Sequence, residues 1–413
     1  MLEKTYRREE QEHETAKKRA ADGVFATPLA IGPGLVGSEM CIRDRVLALA
    51  AILFIGLYSY AHSGPDEAPV QKGAYAEYEA GEVMEILSDS CEPDPAADGA
   101  YRGDQRLLVA VKSGQYAGET LLTTHAVGPL YGEPAAPGDH ITHEDGSHNA
   151  TVYEHDRRMA IVLILGAFLL VTVLVGGKTG AKSILGLAMT VAVLVCLLIP
   201  LLLKGWPTIW TTFLLCSYVA VVCFVILGGT NRKILCACLG TVAGMALATL
   251  FGLAAQALAH VNGLRISDVE PLLQLRQTGT PIGLRGLLVG GIIISSLGAV
   301  MDVAMSIASA LSELKTVNPE MTRRELWRSG RNIGRDMVGT MTNTLILAFL
   351  GSGFTLIIYI YSLGLPWHEL ASSTFLALEV VSGVSSAIGV ILAVPVTAEI
   401  GAVLFCKNAK GPK

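Results

Sequence analysis

The chain has 413 residues, of which 51% are hydrophobic and 16% are charged, and its formal net charge is −5. A soluble protein carries roughly a quarter charged residues, so this composition, with several apolar runs of about 20 residues, predicts a polytopic helical membrane protein. Residues 64–156 hold 18 acidic residues against four lysines and arginines. An acidic soluble portion attached to a mildly basic membrane portion argues against nucleic acid as a partner.

The first 45 residues are predicted to lie outside the functional protein. The run Ser38-Glu-Met-Cys-Ile-Arg-Asp-Arg45 resembles the conceptual translation of a transposon mosaic end used in sequencing libraries. Residues 1–45 are therefore interpreted as an assembly artefact, with a disordered tail as the alternative. Residues 46–62 follow as the first apolar run, and we expect a retained membrane anchor there rather than a cleaved signal.

An acidic β domain is predicted over residues 63–156. Apolar and polar side chains alternate in residues 82–87 and 105–112, which is typical of half-buried strands. Turns are predicted at residues 114–118 and 137–139. About five strands separated by glycine-containing turns favour a small barrel of the OB type, and a fragment of a β-sandwich is the alternative.

Histidines and acids gather at the end of this domain. Such a tract can bind zinc or another divalent ion, but the spacing matches no structural zinc site. We therefore interpret the tract as a solvated linker. The weak metal candidates in it are His140, His143, His148 and His155.

Seven further apolar runs follow, which makes eight predicted spans. The last run is too long for one straight crossing, and residues 382–389 are predicted to break it. Lysines and arginines gather in alternate loops, so the positive-inside rule places both termini in the cytoplasm and the β domain outside. The seven runs are 159–175, 183–203, 208–227, 234–259, 284–311, 338–363 and 371–405.

A basic segment precedes the seventh span. Asn318 is the predicted helix cap and Pro319 the first helical residue, while Leu326 and Trp327 form an apolar edge. The pattern predicts an in-plane helix on the cytoplasmic leaflet over about 319–335, and a docking helix for a soluble ATPase is the alternative. Its polar side holds Arg323, Arg324, Arg328, Arg331 and Arg335.

An acidic residue inside the sixth span is the main functional candidate. Asp302 interrupts an apolar run, where a carboxylate costs about 2.5–3.5 kcal/mol on insertion scales and often marks an ion or proton path. Helical spacing places four small residues on the same face: Ser295, Gly298, Ser306 and Ser309. We expect a hydroxyl-lined face around a buried acid.

A second acid is predicted at a similar depth in the last span. Glu399 lies one turn after Pro395, and a proline frees a backbone carbonyl that can help to bind a cation. The alternative is that Asp302 and Glu399 form salt bridges with Arg331 or Arg335 and only fix helix packing.

Polar groups on other spans complete the candidate cavity. Thr340, Asn343 and Thr344 line one face of the seventh span, and we expect them to converge with Asp302. Glu379 lies nearer the outer surface, so we interpret it as an entrance residue, with a Glu that simply reaches water as the alternative.

The order of these features resembles the YibE/F-like family of bacterial multipass membrane proteins. The likeness is carried by Gly298-Ala-Val-Met-Asp-Val-Ala-Met-Ser-Ile-Ala-Ser309, by Gly334-Arg-Asp-Met-Val-Gly-Thr-Met-Thr-Asn-Thr344 and by the last helix with Pro395. It extends from about residue 46 to the C-terminus and is most specific over 286–405. The resemblance implies a bacterial plasma-membrane protein in which Asp302 and Asp336 matter, and it implies no reaction.

Common catalytic motifs such as the P-loop are absent from the sequence, so no enzyme is predicted. We expect a secondary transporter or permease component in the lipid bilayer that binds a small solute or ion and a coupling cation or proton, with no other cofactor. One alternative is a membrane-anchored scaffold or signalling protein whose β domain binds a partner. Another is the membrane subunit of an ATP-driven exporter, which requires a second subunit.

Overall fold

The computed structural model describes residues 33–63, 77–114, 116–129, 132–146, 149–261, 272–274, 276–277 and 279–406. These residues divide into two compact units, here named the helical unit and the barrel unit. The helical unit contains the described residues up to Leu57, Thr212–Val261 and those from Leu288 onward. The barrel unit contains Tyr58–Thr211 and the described residues of Asn262–Leu287.

Strands of the barrel unit close into a small barrel. The strands are β1 (Glu77–Asp89), β2 (Glu92–Pro93, paired with β3), β3 (Tyr101–Val111), β4 (Thr120–Val127), β5 (His140–Gly146) and β6 (Asn149–His155). Around the ring the order is β1, β5, β6, β4 and β3, and the pairing of β3 with β1 closes it. β4 and β6 run parallel, and the other pairs run antiparallel. The predicted small barrel is confirmed, and the sandwich alternative is wrong.

The barrel core forms because side chains alternate along each strand. Val83, Leu107, Val109 and Ile141 point inward and are at most 1% exposed. A buried amide, Gln105, fixes the loop after β4: it accepts a hydrogen bond from the backbone N–H of residue 135 at 2.8 Å and donates to the carbonyl of the same residue at 3.3 Å. These two bonds satisfy the backbone N–H and carbonyl of residue 135 as a neighbouring strand would.

The histidine tract is part of the barrel, which corrects its interpretation as a linker. Residues 140–155 supply β5 and β6, because Ile141 and Val152 alternate into the core while the strands pair along their length. The side chains of residues 142–150 lie outside the described part of the chain.

Helices flank the barrel on both sides in the sequence: α1 (Pro33–His62) precedes it, and α2 (Arg158–Val193) follows it. The backbone of Gly177 in α2 is not helical, with φ 55° and ψ −135°. A Cβ on Gly180 would overlap the backbone of Thr172. In an unbroken helix, two residues with this separation in sequence would lie about 12 Å apart. The chain therefore reverses at Gly177, between the spans predicted at 159–175 and 183–203. A π-helical turn (Leu194–Leu198) then leads into α3 (Ile199–Leu203).

The remaining helices belong wholly or mainly to the helical unit. They are α4 (Thr208–Gly228), α5 (Arg232–Leu258), α6 (Leu287–Val317, after a 3₁₀ turn at Leu284–Gly286), α7 (Arg323–Ser352), α8 (Phe354–Ser362), α9 (Trp367–Ala371) and α10 (Thr374–Cys406). α6 and α10 run in the same direction, since Ser295 contacts Ser386 and Leu311 packs at Gly401. α7 runs antiparallel to α10.

Six stretches of the described chain are helical, long and apolar enough to cross a membrane, and α7 with α8 makes a seventh if this bent pair is one span. The stretch Arg158–Leu203 counts as one of them although it contains the break at Gly177. The helical, membrane-like character predicted from composition is confirmed. The number of eight crossings and their direction stay predictions.

Glycines set the close packing of the helical unit. A Cβ on Gly244 of α5 would lie 2.7 Å from Val300 and 2.8 Å from Ala393, and one on Gly240 would meet Thr397. The Gly-x-x-x-Gly pattern at these two positions therefore lets α5 approach α10 closely, as such patterns do between membrane helices.

The start of α7 differs from the prediction. Thr322, rather than Asn318, is the cap: its hydroxyl accepts from the N–H of Glu325, whose carboxylate accepts from the N–H of Thr322 at 2.8 Å. The side chain of Asn318 accepts from the N–H of Glu320 within a preceding turn. A reciprocal capping box satisfies two helix-end donors, and the helix then continues past Arg335 without the predicted boundary.

The predicted break in the last helix is also wrong, because α10 is continuous from Thr374 to Cys406. Gly383 packs against the ring of Phe349, and a Cβ on Gly389 would lie 2.5 Å from Ala248. The small residues of this stretch therefore admit neighbouring helices instead of ending their own.

Candidate functional site

Asp302 lies at the midpoint of the 31-residue helix α6, about 22 Å from either end at the usual helical rise. The packed face of α6 is aliphatic, and Val300, Val303 and Ile307 are fully buried. Asp302 lies on the opposite, exposed face. Asp302 therefore lies midway along α6, but it is not buried among the described residues.

Small residues surround Asp302 along this face, which we name the acid stripe: Ser295, Gly298, Asp302, Ser306 and Ser309. All are exposed except half-buried Ser309, and a Cβ on Gly298 would meet no atom within 4 Å. Within the described part of the chain, Asp302 forms no hydrogen bond or ion pair. The stripe thus presents an unpaired carboxylate between hydroxyl groups.

Glu399 forms a salt bridge with the basic segment. Its carboxylate pairs with the guanidinium of Arg323, at the start of α7. A salt bridge to the basic segment was the alternative expected for Glu399, with Arg331 or Arg335 as the partner, and the structure uses Arg323 instead. Arg331 stacks over the ring of Trp327, with 4.8 Å from its guanidinium carbon to the ring centroid.

Polar residues of α7 lie on its exposed side. The hydroxyl of Thr340 donates to the carbonyl of Met337 at 3.1 Å, and that of Thr344 donates to the carbonyl of Thr340 at 2.9 Å. Asn343 and Asp336 are exposed. Among the described contacts, none joins these side chains to Asp302, so their convergence on one site stays a prediction.

A hydroxyl pair links the acid stripe to α10. Ser295 and the buried Ser386 are 2.7 Å apart. Glu379 precedes Ser386 by two turns on the same face of α10, and Asp302 follows Ser295 by two turns on α6. The Ser295–Ser386 contact therefore joins the face of α6 that carries Asp302 to the face of α10 that carries Glu379. Helical spacing alone does not predict this contact.

The basic segment packs as the first part of α7. Leu326 is 0% exposed, and a Cβ on Gly330 would lie 3.0 Å from Ala398 and 3.1 Å from Leu311. The exposed arginines at helical spacing on the other side are Arg324, Arg328, Arg331 and Arg335. The leaflet on which this surface lies stays a prediction.

Two histidines meet inside the barrel unit, one of which the sequence pattern did not single out. His125 is 1% exposed, and it and His155 each place Nε2 3.1 Å from the backbone carbonyl of Glu133. Both rings therefore donate to one acceptor. The described residues contain no group of three or more His, Cys, Asp or Glu that could hold a metal ion.

Low pH is expected to destabilise the barrel because of His125. Burial holds the pKa of His125 below its usual value, so near pH 6.5 the unfolded chain takes up a proton that the folded barrel does not. The stabilisation is complete above about pH 6.5 and is lost as the pH falls below it. His125→Gln keeps a donor for the Glu133 carbonyl but cannot titrate.

Hydrogen exchange of barrel peptides, corrected for intrinsic rates, measures this effect about one pH unit above and below 6.5. Protection should fall more in the wild type than in His125→Gln. An equal fall in both proteins would show that His125 is not the group responsible.

Comparison with known proteins gives one match. A family model described as YibE/F-like protein matches residues 164–407, which is more than half of the chain and includes the acid stripe. The match begins after the barrel, so the part of the expected resemblance between residues 46 and 163 lies outside it. No curated protein and no solved structure matches the chain.

Proposed function

We propose a transport function for this chain, which belongs to the YibE/F-like family and has several membrane-like helices. In this proposal it is a secondary transporter or a permease component, and Asp302 binds a coupling proton or cation. The observation that carries the proposal is the unpaired carboxylate at the midpoint of an apolar helix.

The free-energy cost of placing a carboxylate inside a membrane span supports a functional role for Asp302. An acid in the middle of a membrane span costs about 2.5–3.5 kcal/mol on insertion scales, and such residues mark ion and proton pathways. Protonation or a bound cation removes the isolated charge. The hydroxyl of Ser306, one helical turn from Asp302 on the same face of α6, adds a neutral oxygen ligand for a cation or for water.

A discontinuous helix is a second supporting feature. α7 and α8 together are apolar enough to span a membrane but are bent by 63° at their junction. Secondary transporters commonly build their binding sites from broken helices near the bilayer midplane. The bend therefore favours transport over a purely structural bundle.

Topology is part of the same proposal. Lysines and arginines in alternate loops support eight crossings of a bacterial plasma membrane, with both termini in the cytoplasm. The barrel, whose closed order and single parallel pair agree with the OB type, is then extracytoplasmic.

A scaffold or signalling protein is the second candidate, and one observation favours it. Tyr78 and Tyr153 lie edge to face on the barrel surface, with ring centroids 5.0 Å apart, and each is 56% exposed. Exposed tyrosines are enriched where proteins bind partners. In this alternative the barrel binds the partner and the acid stripe serves helix association.

Thermal unfolding of the purified full chain tests the transport proposal. Proton, monovalent and divalent ion concentrations are varied for the wild type and for Asp302→Asn. A ligand of the native state adds about 2.7 kcal/mol of stability at a hundredfold excess over its Kd. We expect one ion or the proton to stabilise the wild type and not Asp302→Asn.

Glu313→Gln is the matched control, since Glu313 is an exposed acid near the end of the same helix. It should keep the ion response. Proteoliposomes carrying a pH-sensitive dye then test whether Asp302→Asn also abolishes ion flux. An unchanged ion response in Asp302→Asn, or none in the wild type, would overturn the proposal.

A further inference from the structure

Arginine side chains form one exposed face along the first part of α7. Their spacing of four, three and four residues places them within about 60° of one another around the helix and over about 16 Å of its length. All of them are exposed. This face, which we name the arginine stripe, consists of Arg324, Arg328, Arg331 and Arg335.

The positive charge of the stripe is not neutralised among the described residues. The neighbouring Arg323 pairs with Glu399, whereas the stripe arginines form no ion pair within the described part of the chain. Glu325 and Asp336 each follow a stripe arginine by one residue, so they lie about 100° away around the helix. The stripe therefore leaves a row of positive charges available to a ligand.

Contacts with α6 and α10 fix the start of α7 in position. The ammonium group of Lys315, in the last turn of α6, donates to the carbonyls of Pro319 and Met321 at 2.7 Å each. Arg323 joins α7 to α10 through its salt bridge with Glu399. Because the backbone that carries the stripe is already ordered, less conformational entropy is lost when a ligand binds it.

Apolar surface follows the stripe directly along α7. Residues 337–352 contain no charged residue, and Ile346, Leu347 and Leu350 are between 41% and 64% exposed. α7 and α8 together are apolar enough to span a membrane. In a membrane helix, arginines that adjoin the apolar part reach the level of the lipid headgroups.

The chemistry of arginine and the adjoining apolar surface define the class of ligand. Guanidinium groups bind phosphate through paired N–H donors, and clusters of four or more basic residues beside a span are typical of anionic-lipid binding. A soluble acidic protein offers the counter-charge but makes no use of the apolar surface of α7. A phospholipid supplies both a phosphate and acyl chains.

We propose that the arginine stripe binds the phosphate-bearing headgroups of anionic phospholipids, whose acyl chains cover the apolar surface of residues 337–352. The bound headgroups anchor the first part of α7 at one surface of the bilayer. This inference does not rest on the proposed transport function, because the stripe does not include Asp302.

Lipid selectivity of the full chain tests the proposal. The chain is reconstituted in phosphatidylcholine vesicles that contain a small fraction of spin-labelled phosphatidylglycerol or of spin-labelled phosphatidylcholine, and the association constants of the two probes are compared. We expect the wild type to prefer the anionic probe at least about fivefold. Raising the salt from about 0.1 M to about 1 M shortens the Debye length from about 10 Å to about 3 Å and should reduce this preference.

A charge-matched pair of variants locates the preference on the stripe. Arg328→Gln with Arg335→Gln removes two stripe charges and keeps the arginine that stacks on Trp327. This variant should reduce the preference by at least about twofold. Arg102→Gln with Arg106→Gln removes the same charge from exposed positions of β3 in the barrel unit, and it should keep the preference.

The absence of a preference in the wild type, or an equal preference in the two double variants, would overturn the proposal. Soluble polyglutamate that binds only when the stripe is intact, without any lipid preference, would overturn it in favour of an acidic protein partner. The salt response of the wild type does not depend on the folding of any variant. Asp302→Asn should keep the lipid preference even where it loses the ion response, which separates this inference from the proposed function.

Discussion

Replacement of Gly334 by leucine is expected to destabilise the helical unit by about 3 kcal/mol. Gly334 is where α7 crosses α10 and α6: a Cβ at this position would overlap Cγ1 of Val394 and lie 3.3 Å from Ile307. Both neighbours are buried, at 4% and 0% exposure, so neither can move without displacing the core. The larger side chain must therefore push α7 away from α10.

Thermal unfolding in detergent measures this loss, and Gly339→Leu is the matched control on the same helix. A Cβ on Gly339 meets no atom within 4 Å, so leucine there should be tolerated or slightly stabilising, since glycine costs about 1 kcal/mol in a helix interior. Similar melting temperatures for the two variants would mean that α7 does not pack on α10 in this way.

Truncation of Leu107 to alanine is expected to destabilise the barrel by about 2–5 kcal/mol. Leu107 is fully buried in the core shared by β1, β3, β5 and β6, and its removal loses apolar burial and leaves a cavity. A barrel this small contains few other large core side chains to compensate.

Leu122→Ala removes the same atoms from the adjacent strand β4, where the side chain is 57% exposed. Its effect should stay within about 0.5 kcal/mol. Hydrogen exchange of barrel peptides compares the two variants, with peptides from α5 as an internal reference. Equal loss of protection in both variants would mean that the inward-facing and outward-facing side chains of β3 and β4 are assigned the wrong way round.

Long apolar runs predicted the helices of the core well. The runs at 208–227 and 234–259 correspond to α4 (Thr208–Gly228) and α5 (Arg232–Leu258), because a buried membrane helix is apolar on all sides and charged residues mark its ends. Alternation at 82–87 and 105–112 likewise identified parts of β1 and β3. In these segments the local pattern and the tertiary packing agree.

Competing local signals explain the errors at the start of α7 and in α10. Asn318-Pro319 and Thr322–Glu325 are both acceptable helix starts. The structure uses the second, and Leu326 then packs in the core. The serines and glycines of residues 382–389 suit either a break or close helix contact. The neighbouring helices, which local sequence does not specify, decide between them.

Periodicity placed Asp302 and its serines on one face but could not show whether another helix covers that face. Burial depends on which residues of distant helices are neighbours, and the fully buried Val300 and Ile307 mark the face that the neighbours occupy. The cavity of about 200 Å³ that lies between α7, α8 and α10 was not predicted, for a similar reason. It depends on the angle at Gly353, and a glycine in an apolar run does not specify an angle.

The junction between the barrel and α2 is short and is held by hydrogen bonds. β6 ends at His155 and α2 begins at Arg158, and the Asp156 carboxylate between them accepts from the backbone N–H of Arg158 at 3.0 Å and from its guanidinium. These bonds lower the pKa of Asp156 to about 2, so the carboxylate stays ionised and can accept them throughout the physiological pH range. Tilting of the barrel would therefore rotate the first part of α2 with it. The chain would then bend at Gly177, where the helical backbone is already broken.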